Sequence, residues 1–172
     1  MMKGFIQVYT GDGKGKTTAA LGLSLRAAGA GLKVYIGQFM KEGRFSELKA
    51  LENFKQNIII EQFGRTRFIG KKIEEQDKQA AEQGLKRVRE VINSGGYDLV
   101  VLDEINIALH YGLFGNREVI DMLEKRKKGV EVVLTGRNAP KAIIACADLV
   151  TEMRKIKHYY DHGLNAREGI EK

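Results

Sequence analysis

Nine residues near the amino terminus, Thr10-Gly11-Asp12-Gly13-Lys14-Gly15-Lys16-Thr17-Thr18, constrain the fold more than any other part of the chain. An apolar, strand-like segment (residues 5–10) runs into them, and a helix-favouring stretch (residues 16–28) leaves them. Glycines at alternate positions let successive backbone N–H groups converge on one concavity, which suits a chain of phosphates. Lys16 supplies an ammonium, Thr17 a hydroxyl for a divalent cation, and the helix start adds positive potential. Lys14 brings a second cation close by. This strand, glycine-rich turn and helix is the context of a P-loop, and it predicts binding of a nucleoside triphosphate. The strict pattern has glycine where Thr10 stands, so the match departs at its first position.

The rest of the chain extends this into a fold class. Short apolar runs at 5–10, 33–38, 58–62, 99–103, 131–134 and 149–153 alternate with amphipathic stretches at 16–28, 46–54, 74–93, 117–127 and 141–145. Ala81, Leu85, Val88 and Ile92 recur at helical spacing, and Gly95-Gly96 stops that helix. Leu99-Val100-Val101-Leu102 is apolar on both faces, as a sheet covered by helices on each side requires. The expectation is a single α/β domain over residues 1–172 with a mostly parallel sheet of about six strands, of the P-loop, RecA-like type. Ligands in such sheets bind at the carboxyl ends of the strands.

At 172 residues the chain suffices for one domain, and 43% hydrophobic with 30% charged residues excludes disordered, collagen-like and disulfide-stapled classes. A lone cysteine, Cys146, suits a reducing compartment and reads as buried and inert. No apolar run reaches membrane-span length and no secretory segment opens the chain, so a cytoplasmic protein without membrane contact is expected. The formal charge of +7 would serve nucleic acid or a polyanionic small ligand equally. Its densest run, Lys125-Arg126-Lys127-Lys128, reads as the solvated end of a helix.

Tyr97-Asp98-Leu99-Val100-Val101-Leu102-Asp103-Glu104 is the second chemical signal: an apolar strand ending in an acidic pair. Beside a P-loop this is the Walker B arrangement, with Asp103 reaching Mg²⁺ or Mn²⁺. Glu104 reads either as a metal- or phosphate-side group or as the cap of the following helix. Leu134-Thr135-Gly136-Arg137 is a third strand-to-turn junction, where Arg137 could grip phosphate or stand in solvent. His110, His158 and His162 lack metal-ligand spacing, and no serine or cysteine nucleophile motif presents itself. An enzyme built this way takes its nucleophile from a substrate or from water.

Taken in order, these motifs resemble the P-loop corrinoid adenosyltransferases. The likeness adds Gln38-Phe39-Met40-Lys41, Val133-Leu134-Thr135-Gly136-Arg137, Ala147-Asp148-Leu149-Val150-Thr151-Glu152-Met153, Lys157-His158 and the closing Ala166-Arg167-Glu168-Gly169-Ile170-Glu171. The resemblance implies that a reduced Co(I) corrinoid attacks the 5′ carbon of ATP and expels triphosphate, with ATP lying reversed in the loop. It further implies a homodimer, a flavoprotein reductant, and apolar or aromatic side chains that empty the lower face of cobalt. Many members carry a Gly-Phe-Thr-Trp-like segment before the long central helix. This chain has no tryptophan and shows Gln62-Phe63-Gly64-Arg65-Thr66-Arg67-Phe68 there, which makes Phe63 and Phe68 the corrinoid-side candidates. Arg65 and Arg67 read as contacts to the corrin periphery or as solvated charges. His158 reads as structural or adenine-adjacent rather than as a cobalt ligand. The competing functions are a RecA-like ATPase acting on nucleic acid, a small-molecule kinase without the usual arginine-rich lid, and a nucleotide-sensing module.

Overall fold

Six short strands set the frame, and three of the inner ones are too hydrophobic to leave either face in water. In the computed structural model, which describes residues 3–43, 45–65 and 73–171, they are β1 (Ile6–Thr10), β2 (Val34–Phe39), β3 (Ile58–Phe63), β4 (Leu99–Asp103), β5 (Glu131–Thr135) and β6 (Leu149–Glu152). All neighbours pair in parallel, in the order β3-β2-β4-β5-β1-β6. The expected P-loop, RecA-like α/β architecture is therefore present: β5 stands between the strand that feeds the glycine loop and the strand that ends in the acidic pair.

Helices α1 (Lys16–Gly29), α2 (Ser46–Leu51), α3 (Glu75–Ser94), α4 (Ile105–His110), α5 (Asn116–Glu124) and α6 (Lys141–Cys146) connect them. The pleat sorts the core. Val34, Ile36, Leu99, Val101 and Val133 pack with Ala20 and Ala27 of α1 on one face. Tyr35, Phe39, Val100, Leu102, Val132 and Leu134 pack on the other with Leu85, Val88 and Ile92 of α3 and with Val119 and Leu123 of α5. Each valine, leucine, isoleucine or phenylalanine among them contributes about 1.5–3 kcal/mol of burial.

Element ends differ from the sequence reading where capping decides. Helix α3 begins one residue late because Glu74 serves as its N-cap in a capping box with Asp77, and it ends at Gly95 in the left-handed conformation (φ 71°). The expected 46–54 helix divides into α2 and a 3-10 turn (Glu52–Phe54). Helix α5 stops at Glu124, so the basic run lies in the turn beyond it. One member of that run is half-buried: the Arg126 guanidinium donates to the carbonyls of Leu123, Val130 and Gly4, tying the turn down. Cys146 is half-buried rather than buried, since α6 lies near the open edge of the sheet. Burial raises its thiol pKa, which keeps it protonated and unreactive.

Candidate active site

The carboxyl ends of β1, β2, β4 and β5 bring the predicted residues together. Gly11 and Gly15 adopt left-handed backbone (φ 93° and 116°). A Cβ at Gly11 would lie 2.5 Å from the Met153 carbonyl oxygen, so a side chain there has neither space nor conformation. The same carbonyl accepts the Gly13 N–H at 2.6 Å, which pins the loop to the segment following β6. The Lys16 ammonium, almost fully buried, donates to Gly11 O (2.6 Å) and Gly13 O (2.7 Å) and so fills the cradle that its own loop makes. Burial lowers its pKa and Arg137 pushes the same way, while Glu104, Asp12 and Asp103 oppose the shift.

Thr10, the departure from the strict pattern, has a use of its own. Its hydroxyl accepts the Ala139 N–H at 3.2 Å and ties the glycine loop to the turn after β5. Of the other loop residues, Asp12, Lys14 and Thr18 are exposed. Lys14 donates to Ile170 O at 2.6 Å and lies 3.4 Å from the Glu171 carboxylate, so the carboxyl-terminal segment engages it.

Asp103 is the organising group. Fully buried, it accepts at Oδ1 from the hydroxyls of Thr17 (2.8 Å) and Thr135 (2.7 Å). At Oδ2 it accepts from Gln38 Nε2 (3.1 Å) and Lys41 Nζ (2.8 Å). The Thr135 hydroxyl in turn accepts the Glu104 N–H at 3.0 Å. That bond holds Glu104 in left-handed backbone (φ 60°), a conformation a glutamate adopts only under constraint. Glu104 occupies the N-cap position of α4 without a side-chain capping bond, which removes the capping reading. Burial and the neighbouring Asp103 raise its pKa, against the pull of Lys41, Lys16 and Arg137. All five charged groups thus share one electrostatic site.

Arg137 follows Gly136 (φ 129°) and is exposed, with no hydrogen bond or ion pair among the described residues. It lines a cleft of about 780 Å³ with Asp12, Lys155, His158, Tyr160 and Asp161. His158 Nδ1 accepts the Tyr160 N–H at 3.1 Å and thereby caps the last 3-10 turn (Tyr159–His162), while the ring stays on the cleft wall.

Of the corrinoid-side candidates, Phe63 closes β3, the edge strand beside β2. The half-buried Phe63 ring packs on Phe39 (centroids 5.6 Å apart) and beneath Gly84 of α3. Arg65 is bound to the start of α3, 2.7 Å from Glu74 and 3.8 Å from Asp77. Phe68, with Thr66 and Arg67, lies outside the described residues.

Sequence reasoning gave no role to Gln38 or Lys41, which reach Asp103 from β2, nor to the clasp of the tail on Lys14. The local signal was a polar residue and a lysine closing an otherwise apolar strand. As a donor set, the Thr17 hydroxyl and Asp103 carboxylate, with Glu104 beside them, are hard oxygen ligands that fit magnesium or manganese. The described residues hold no group of three or more His, Cys, Asp or Glu side chains disposed around a metal. Magnesium takes few protein ligands and completes its shell with phosphate and water.

Known proteins supply the context for this geometry. The family model described as "ATP:corrinoid adenosyltransferase BtuR/CobO/CobP" matches residues 2–171. A corrinoid adenosyltransferase of Sinorhizobium sp is 38% identical over 98% of this chain and 80% of its own length. The corrinoid adenosyltransferase of Pseudomonas aeruginosa is 35% identical over 98% of this chain and 84% of its own. That of Escherichia coli strain K12 is 34% identical over 98% and 86%. Matches of this length span every element from the glycine loop to the closing tail, and they place the chain in the ATP:corrinoid adenosyltransferase family.

Proposed function

We infer that this protein transfers the 5′-deoxyadenosyl group of ATP to the cobalt of a reduced Co(I) corrinoid with release of triphosphate. Family membership supports the reaction, and the observation that carries it to particular atoms is the cradle joining Lys16, Thr17 and Asp103. This reaction needs no nucleophile from the protein. Cobalt(I) supplies the electron pair, a cobalt–carbon bond forms at the 5′ carbon, and the carbon–oxygen bond breaks with its pair leaving on triphosphate.

The residues then have one main task, to hold the reactive carbon in line and to stabilise a leaving group of several negative charges. Lys16 would exchange the carbonyls of Gly11 and Gly13 for phosphate oxygens, and the N–H groups of residues 14–18 would complete the cradle. Arg137 would add a planar donor from the neighbouring turn. Thr17 and Asp103, with Glu104, would hold a magnesium or manganese ion, whose charge offsets that of the departing phosphates. Loss of one such donor costs about 3 kcal/mol, roughly a hundredfold in rate. The resemblance assigns Phe63, the last residue of β3, and Phe68, outside the described residues, to the corrinoid side.

The family resemblance further supports a homodimer supplied with electrons by a flavoprotein and working in the cytoplasm. No helix among the described residues is long and apolar enough to cross a membrane. Similarity along the whole chain favours adenosyl transfer over a nucleic-acid-dependent ATPase. The test is an anaerobic assay with ATP, Mg²⁺ and chemically generated Co(I) corrinoid. The light-sensitive cobalt–carbon product should appear together with triphosphate. Release of orthophosphate stimulated by DNA, with no alkylated corrinoid, would reject the assignment in favour of the ATPase.

A further inference from the structure

Lys41 lies two residues past Phe39, the last residue of β2, and nothing above gives it a part in the reaction. The backbone brings it to the site at some cost. Met40 holds left-handed conformation (φ 56°), and Gly64 is so close that a Cβ there would lie 2.4 Å from the Lys41 backbone nitrogen. The Lys41 side chain, 19% exposed, sets its ammonium 2.8 Å from Asp103 Oδ2, while Oδ1 of the same carboxylate takes the Thr17 hydroxyl. The Phe45 ring flanks the ammonium at 5.6 Å. Burial alone would favour the neutral amine, but Asp103 and then Glu104 outweigh it and keep the group charged.

A unit positive charge thus occupies the carboxylate assigned above to the divalent cation. We propose that Lys41 is a mobile counter-cation: it neutralises Asp103 while the site is empty and moves onto the polyphosphate when a divalent ion takes that carboxylate. An ammonium on one carboxylate oxygen and a divalent ion on the other repel each other, so each disfavours its neighbour. Incoming polyphosphate offers the flexible lysine stem several acceptors in place of one. Metal and polyphosphate therefore bind better together than singly, and by linkage each raises the affinity of the other. The inference rests on the assignment of Asp103 to the cation.

The test uses the whole chain and two probes, Mn²⁺ followed by the electron paramagnetic resonance of the free ion, and inorganic tripolyphosphate. Without nucleotide, Lys41→Met should bind Mn²⁺ roughly tenfold more tightly than the unsubstituted protein, and its affinity for tripolyphosphate with Mn²⁺ should fall roughly tenfold. The double variant Lys41→Met/Asp103→Asn should lose the gain in Mn²⁺ affinity. Unchanged Mn²⁺ affinity in Lys41→Met overturns the neutralising role, and unchanged tripolyphosphate affinity overturns the transfer onto phosphate. A gain that survives in the double variant removes the cation from Asp103 and overturns the underlying assignment instead. Lys41→Gln keeps a donor to Oδ2 and removes only the charge, so it should give the same two shifts should the methionine variant fail to fold.

Discussion

Thr135 does two jobs with one hydroxyl, donating to Asp103 Oδ1 and accepting from the Glu104 N–H. It is fully buried, so no water can replace either bond. Thr135→Val preserves shape while leaving a backbone donor and one carboxylate lone pair unpaired. The expected loss is about 1–3 kcal/mol, read as a lower urea midpoint at unchanged slope, and Thr135→Ser should restore most of it. A valine variant as stable as the parent would mean that the left-handed Glu104 is held by something else. Residues such as Lys16, Thr17 and Asp103 were legible in the sequence because the loop and the strand end are local signals. Gln38 and Lys41 were not, because they reach Asp103 from 65 and 62 residues away and only the order of the sheet brings them together. Phe63 shows the complementary limit: the family resemblance suggested a ligand contact, whereas its place under α3 also makes it a core side chain.

At the scale of elements, the strands were legible because burial on both faces leaves a continuous apolar signature in β2, β4 and β5. Helix ends were less so, since the Glu74 cap and the early stop of α5 depend on single side chains and on how Arg126 is satisfied. The α3–β3 contact puts a number on packing tolerance. A Cβ at Gly84 would lie 2.5 Å from Phe63 Cγ and 2.7 Å from Phe63 Cβ, the rigid base of the ring rather than its free end. Alanine in an exposed helix interior gains about 1 kcal/mol over glycine. Here overpacking should reverse the sign and cost about 1–3 kcal/mol. Gly84→Ala combined with Phe63→Leu should be less destabilised than the sum of the single variants, because the two share one space. Additive losses in thermal melting would show that Phe63 can yield without strain.

Across the whole molecule, the segment after β6 returns to the glycine loop at two levels of strength. Near the sheet, Met153 O takes the Gly13 N–H, a short backbone bond continuous with the pairing of β6 on β1. Farther on, the attachment is a set of charges around Glu171. Its carboxylate accepts from the Arg167 backbone and guanidinium and from the Tyr159 hydroxyl, and it faces Lys14 across the loop. These bonds hold its pKa well below the usual carboxylate range, the Arg167 contacts contributing most. Yet residues 154–170 are largely exposed and add nothing to either core cluster. Such a segment should open on its own, at much lower free energy than the central strands. Glu171→Gln should therefore speed amide exchange across residues 159–171 severalfold while leaving β4 and β5 unchanged. About 1 M salt should do the same to the unsubstituted chain, because the Debye length there falls to about 3 Å. Exchange that quickens in β4 and the tail together would instead make the tail part of the cooperative core. Lys14 would then be fixed by folding rather than released by a local opening of the tail.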